Sequence, residues 1–202
     1  AKSRATGPAR NMSLYNLLSR RRMVREYEDR PLEKDKLERL LAAALRGPSA
    51  GNSQGLSLVV VQNAENRIAI AALAGEPDWV ARGYPAWLSR APVHLVLCAE
   101  PQVYRDRYAQ PDKQEAEKDW PVPYWHVDAG CMLMILLLSA LEEGLAAGFQ
   151  GIHNLPGLAD LLGIPAPVEP IGLVTLGYSR STRKGHSAGR PARSERIHLE
   201  RW

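Results

Sequence analysis

Apolar residues along the first half of the chain recur mostly at helical spacing. Leu37, Leu40, Leu41, Ala44 and Leu45 share one face of the stretch 33–46, which predicts an amphipathic helix stopped by Gly47-Pro48. Leu14, Leu17 and Leu18 mark a shorter helix over 13–20, and 64–73 and 79–88 read as two more. Elsewhere the apolar positions run together. The segments LSLVVVQ (56–62), VHLVLCA (93–99) and IGLVTLG (171–177) are β-rich and predict buried strands, with a shorter strand at 149–153 and a helix at 155–162. The longest helical pattern covers 124–147 and is apolar on most faces around Met132, Leu136, Leu137 and Leu141. Such a helix is expected in the core or against another subunit. Residues 100–123 are polar, proline-bearing and without strong period, and read as a long loop. The sum is an α+β class with a sheet of four to five strands flanked by helices. Strands and helices do not alternate regularly enough for a doubly wound sheet. No repeat or linker divides the chain, so 13–202 is read as one domain, preceded by a flexible basic arm (1–12) and closing in an extended basic tail.

Composition changes this picture little. With 202 residues, 45% of them hydrophobic, the chain is long enough to bury a sizeable core. The richest apolar run, 131–138, is too short to span a membrane, and the N-terminus lacks the apolar stretch of a signal peptide. Cys98 and Cys131 both sit in apolar surroundings, which fits a reducing, cytoplasmic setting better than a disulfide scaffold. Charge placement is more informative. Residues 1–30 carry eight Lys/Arg against three acids, and 179–202 carry seven against two, while the middle is acidic. Two solvated tails or a nucleic-acid patch are one reading, and on charge alone the tails come first. If the two ends meet in space, they instead make a site for a small, multiply charged anion.

Several motifs fail on context. Gly47-Pro48-Ser49-Ala50-Gly51 matches the serine-hydrolase elbow G-x-S-x-G, but a helix precedes it and a strand follows, the reverse of what the elbow requires. There is no G-x-G-x-x-G after a strand, no P-loop, no H-E-x-x-H and no C-x-x-C. His126 and Asp128 on a helix lack metal-ligand spacing, and no metal site is expected.

Three separated segments make sense together. In Arg21-Arg22-Met23-Val24-Arg25, a helical turn would put Arg21 and Arg25 on one face, where two guanidinium forks suit a phosphate. In Pro48-Ser49-Ala50-Gly51-Asn52-Ser53-Gln54, small residues admit a ligand to the backbone, and Ser49, Asn52 and Gln54 offer donors and acceptors to a heteroaromatic edge. In the tail, Arg190 and Arg193 stand just before Glu195 and Ile197.

In this order the segments resemble the nitroreductase family over nearly the whole length. RRMVR matches its Arg-Arg-Ser-x-Arg element with Met23 in the Ser place. GPSAGNSQGLSLVVV matches its Ala-Pro-Ser-x-x-Asn-x-Gln-Pro-Trp element and the following strand, with Gly55-Leu56 departing from Pro-Trp. YWHVDAGCMLMILLLSALEEGLAAGFQG resembles the central helix, and GRPARSERIHLERW the basic C-terminal segment. The resemblance implies an interlocked homodimer with FMN at the subunit interface. By position, Arg21, Arg22, Met23 and Arg25 would hold its phosphate and ribityl chain, joined by Arg190 or Arg193. Pro48, Ser49, Ala50, Asn52 and Gln54 would meet the ring, in part from the partner subunit, and Gln150 and Gly151 would lie near N5. NAD(P)H would give a hydride, and an electron-poor small molecule such as a nitroaromatic or quinone would take its place in one pocket. No side chain is expected to act as acid or base. Tyr104, Tyr108, Trp120, Tyr124 and Trp125 are expected to wall the substrate pocket. The same frame also suits a dehalogenase, a flavin-fragmenting enzyme, a natural-product dehydrogenase, or a protein that binds a flavin or deazaflavin without turnover. A nucleic-acid partner is disfavoured by the acidic middle.

Overall fold

The computed structural model describes residues 12–114, 116–180 and 196–202. Helix α1 (Leu14–Arg20) starts at Ser13, whose hydroxyl accepts the Asn16 N–H. Helix α2 (Lys34–Ala44) buries Leu37, Leu40 and Ala44 as the apolar spacing predicts. Strand β1 (Leu56–Val61) follows, then α3 (Ala64–Leu73) capped by the Asn63 side chain, α4 (Glu76–Ala81), β2 (Val93–Ala99), α5 (Pro101–Tyr108), α6 (Tyr124–Glu142), β3 (Ala146–Gly151), α7 (Leu158–Leu162) and β4 (Glu169–Gly177).

The strands form one antiparallel sheet in the order β1-β2-β4-β3. β2 is buried at every position, and its side chains alternate between two cores. Val93, Leu95 and Leu97 pack with α2 and α6; Val96 and Cys98 pack with α3 and α7. The sheet is therefore covered on both faces. Burial raises the Cys98 thiol to about 11, so it stays protonated and inert.

Three expectations about elements are corrected. The helix expected at 79–88 lies instead at Glu76–Ala81, because Gly83 turns at φ +88° and Pro85 cannot continue a helix. The expected loop 100–123 contains α5, which has Pro101 in its first turn and buries Tyr104. The helix expected to reach 147 ends at Glu142. Gly144 takes φ +73°, its N–H donates to the Leu141 carbonyl, and the Leu145 N–H donates to that of Ala140. That closure frees Ala146 to begin β3 three residues before the expected strand. Nor are all helices too short for a membrane. α6, at 19 residues, is long and apolar enough by composition, but it lies packed on α2 and the sheet and carries a buried Asp128.

The residues after α1 run extended. The Val24 N–H donates to Ala147, Glu28 N–H to Tyr178, and Arg180 N–H to Glu26, so this stretch lies along β3 and the end of β4. The start of the basic tail therefore leaves from beside the arginine segment.

His94 is fully buried on β2, with Nε2 2.8 Å from the Leu88 carbonyl and Nδ1 lacking a partner among the described residues. Desolvation, more than any other cause, holds its pKa at about 4, below the ordinary 6.5. As pH falls below about 6.5 the unfolded chain takes this proton first, so stability declines down to about pH 4, by about 3 kcal/mol in all. Urea denaturation across that range is expected to follow this decline, and His94→Gln is expected to flatten it.

Candidate functional site

The arginine segment lines a cavity of about 420 Å³ with Arg20, Arg21, Arg22, Met23 and Arg25 on one side and Leu137, Leu141 and Ala146 on the other. Arg21 and Arg25 line this cavity together not through a helical turn, as the spacing suggested, but on an extended stretch after α1, and residues 20–26 all border it. The Nη1 of Arg21 is buried and finds no hydrogen-bond partner among the described residues. A buried, unpaired guanidinium nitrogen is costly in an empty cavity and natural in one built for an anion.

The Pro48–Gln54 loop lines a second, smaller cavity of about 250 Å³ through Pro48, Ser49, Asn52 and Gln54, floored by Leu45 and Met132. It is a single 3-10 turn in which Gly51, Asn52 and Gln54 all take positive φ (61°, 55° and 57°). Two of these are not glycine, so neighbours must enforce the shape. The Ser49 hydroxyl accepts the Gln54 N–H at 2.8 Å, and Gln54 Nε2 donates to Asn52 Oδ1 at 3.1 Å. Ala50 does not face the cavity; its N–H donates to the Asp128 carboxylate at 2.8 Å. The same oxygen accepts the Tyr104 hydroxyl at 2.8 Å. Burial, and then this bond to Asp128, push the Tyr104 phenol well above its usual range, so it remains a donor. Arg107 Nε donates to the Gly51 carbonyl, and the Tyr108 ring lies so close that a Cβ on Gly51 would come within 2.6 Å of it.

Sequence reasoning missed Asp128 as the anchor of this loop, setting aside a metal role with His126 in favour of a polar helix start or a dimer contact. Its signal was an acid among the inward positions of an apolar helix. His126 instead sits 3.1 Å from the Glu169 carboxylate. Among the described residues no group of His, Cys, Asp and Glu could hold a metal.

The aromatic residues expected to wall a substrate pocket form a cluster between α5 and α6. Tyr104, Tyr108, Trp120, Tyr124 and Trp125 do come together, but on one another: Trp120 meets Tyr108 edge-on at 4.7 Å and Tyr124 at 4.9 Å, and Tyr104 lies 5.9 Å from Trp125. Tyr104 and Trp125 are buried. The five rings line none of the three cavities described here; they tie α5 to α6 and brace the 48–54 loop. Gly55, where the resemblance departs from Pro, touches this knot, since a Cβ there would lie 2.6 Å from the Tyr104 ring.

A third cavity, of about 370 Å³, contains Gln150 and Asn154 and is walled by Trp79, Tyr84 and Trp87. It shares Arg25 and Pro85 with the arginine cavity. Gly151 ends β3 beside the His153 ring and lines no cavity described here. Its wall depends on a second missed carboxylate. Glu76 is buried and accepts the N–H groups of Trp87, Leu88 and Ser89 at 2.7, 2.6 and 3.1 Å. Arg190 and Arg193 lie outside the described residues, as do 1–11 of the N-terminal arm.

Within one chain, then, the arginine segment meets Gln150 through Arg25, while the 48–54 loop faces a separate cavity. The arrangement has close counterparts. An FMN reductase [NAD(P)H] of Bacillus subtilis is 31% identical over 193 residues, covering 91% of this chain and 69% of that one. An NADH dehydrogenase of Thermus thermophilus is 29% identical over 183 residues, covering 79% of this chain and 83% of its own. The solved structure of nitroreductase A from Vibrio parahaemolyticus shares the fold at a TM-score of 0.74 and 24% identity, over 93% of this chain and 75% of that one. The model of the Nitroreductase family matches residues 18–178, and the chain belongs to that family.

Proposed function

We propose that this protein is an FMN-dependent NAD(P)H oxidoreductase that works as a homodimer. The reading is carried by the buried Arg21 Nη1, unpartnered among the described residues, in a cavity it shares with Arg22 and Arg25. Guanidinium forks on one wall fit the terminal phosphate of FMN, and the Asn52 and Gln54 side chains offer donors and acceptors to a flat heteroaromatic edge. Arg21, Arg22, Met23 and Arg25 would hold the phosphate and ribityl chain. Pro48, Ser49, Asn52 and Gln54 would orient the ring, with Asp128 holding the loop from beneath through the Ala50 N–H. Gln150 and Gly151 would stand near its reactive edge, and Arg190 or Arg193 would join the phosphate grip from the tail. When bound, FMN supplies the hydride chemistry that no side chain of this protein can.

The homodimer reading draws on two features. The loop and the arginine segment line different cavities of one chain, so a shared site needs the loop of a second copy. In addition, α6 leaves Val127 and Met134 exposed, with Cys131, Leu138 and Leu141 half-buried at heptad spacing between and beyond them, and α1 exposes Leu14 and Leu18. Donor and acceptor would use one pocket in turn. The net reaction with a quinone is NAD(P)H plus H⁺ plus quinone giving NAD(P)⁺ plus hydroquinone, and a nitroaromatic would serve similarly. Cytoplasmic placement follows from the reduced cysteines and the nicotinamide donor.

The purified protein is expected to be yellow, with absorbance near ~450 nm that NAD(P)H bleaches without oxygen and a quinone restores. Protein that stays colourless after incubation with FMN and gel filtration overturns the reading.

A further inference from the structure

We infer that a further cavity, between α3, the stretch leading into β2 and residues 29–32, seats a small phosphate-bearing anion gripped by Arg30, Arg67 and Arg90. It shares no lining residue with the three cavities described above, so the seat stands apart from the flavin reading.

The cavity measures about 300 Å³, room for a phosphate with a small substituent. Its walls carry the guanidiniums of Arg30, Arg67 and Arg90 against one carboxylate, that of Asp29. Glu33 pairs with Arg30 from outside the lining, and Lys36 beside the Tyr178 ring offsets it. Three guanidiniums less one carboxylate leave two positive charges on the walls, the complement of a phosphate dianion.

Two of the three cations are fixed in advance. Arg67, on α3, is half-buried; its Nε donates to the Gln62 carbonyl at 3.3 Å, and its Nη1 to those of Ser89 and Ala91 at 3.1 and 2.8 Å. These bonds set the plane of the fork and leave Nη2 for another acceptor. Arg30 lies 3.7 Å over the Tyr178 ring, with Nη2 held by Glu33 at 2.7 Å. Arms already immobilised lose little further freedom when a ligand arrives. Arg90 differs. It is exposed and makes no hydrogen bond or ion pair among the described residues. A third cation beside two fixed ones is repelled while the cavity is empty and is held once an anion bridges all three. The three forks come from separate segments. A tetrahedral anion offers an oxygen to each, whereas a flat carboxylate has two oxygens for three forks. Because Arg67 also holds the carbonyls of Ser89 and Ala91, an anion joining it to Arg90 would tie the approach to β2 onto α3.

The test is calorimetric titration of inorganic phosphate, and separately of adenosine 5′-monophosphate, into protein saturated with FMN. One saturable site per chain is expected. Arg90→Ala and Arg30→Ala are each expected to weaken binding at least about tenfold, and Arg90→Glu to abolish it. Arg67→Ala is a poorer choice, because it also strips three carbonyls of their donor. Phosphate should raise the melting temperature of wild type and leave that of Arg90→Glu unchanged. Tighter binding of phosphate assigns the seat to the free ion, and tighter binding of the nucleotide assigns it to a phosphate monoester. Absence of a saturable site overturns the seat, as does wild-type affinity in both Arg90→Ala and Arg30→Ala. Binding kept in Arg90→Glu but lost in Arg21→Ala with Arg25→Ala places the anion in the arginine cavity and overturns it too. No readout here uses flavin turnover, so colourless protein fails the flavin reading alone and the same titration still decides the seat.

Discussion

Arg21→Ala combined with Arg25→Ala is expected to yield folded, colourless protein. Charge-assisted hydrogen bonds contribute about 1.5–3 kcal/mol each, so losing two guanidiniums from a phosphate grip weakens flavin affinity by roughly 10²–10⁴-fold. Folding is scarcely touched. Among the described residues the Arg21 Nη1 has no partner to lose, and Arg25 contributes a partly exposed cation–π contact to Trp87. Flavin stoichiometry from the absorbance ratio, read beside a thermal melt, separates the two effects. A double variant purified with full flavin would sink the phosphate assignment. Arg21→Lys should fall between, because an ammonium supplies charge without the fork.

Asp128→Ala is expected to give the largest loss of stability among single changes near the site. It leaves the Ala50 N–H and the Tyr104 hydroxyl without their shared acceptor in a buried setting. At about 1–3 kcal/mol for each orphaned donor, the variant loses about 2–6 kcal/mol, and its Tm falls by roughly 4–24 °C. Asp128→Ala with Tyr104→Phe removes one orphan, so the double variant should be more stable than the sum of the two single changes predicts. Urea denaturation measures all three. Asp128→Ala as stable as wild type would mean that the 48–54 turn holds its shape without this anchor.

Much of the sheet was legible because its two central strands are largely apolar. β2 and β4 are buried on both faces, and such runs declare themselves without any alternation. α2 and α3 were equally plain from spacing and stop signals. α5 was not, because a helix that touches the core mainly through Pro101 and Tyr104 has almost no apolar period to read. The start of α4 was hidden for a related reason: its buried residue is Glu76, which sequence patterns count as exposed. The arginine and small-residue segments were recognisable as chemistry, but their geometry was not. Whether positions 21 and 25 share a side through a helix or an extended strand depends on pairing with β3, which lies more than a hundred residues away. Asp128 and Glu76 escaped notice because a buried carboxylate is defined by the backbone amides it receives, and tertiary contacts alone bring those amides to it.

The close approach of Gly55 to the Tyr104 ring has an evolutionary consequence. A proline at 55 and a tyrosine at 104 exclude each other sterically, so position 55 cannot gain a side chain while Tyr104 keeps its place. Relatives that carry the bulkier residue after the Gln54 position should carry a smaller or displaced side chain at the position of Tyr104. The two sites should therefore covary as a pair, and a bulkier residue at 55 becomes tolerable only after the compensating change at 104.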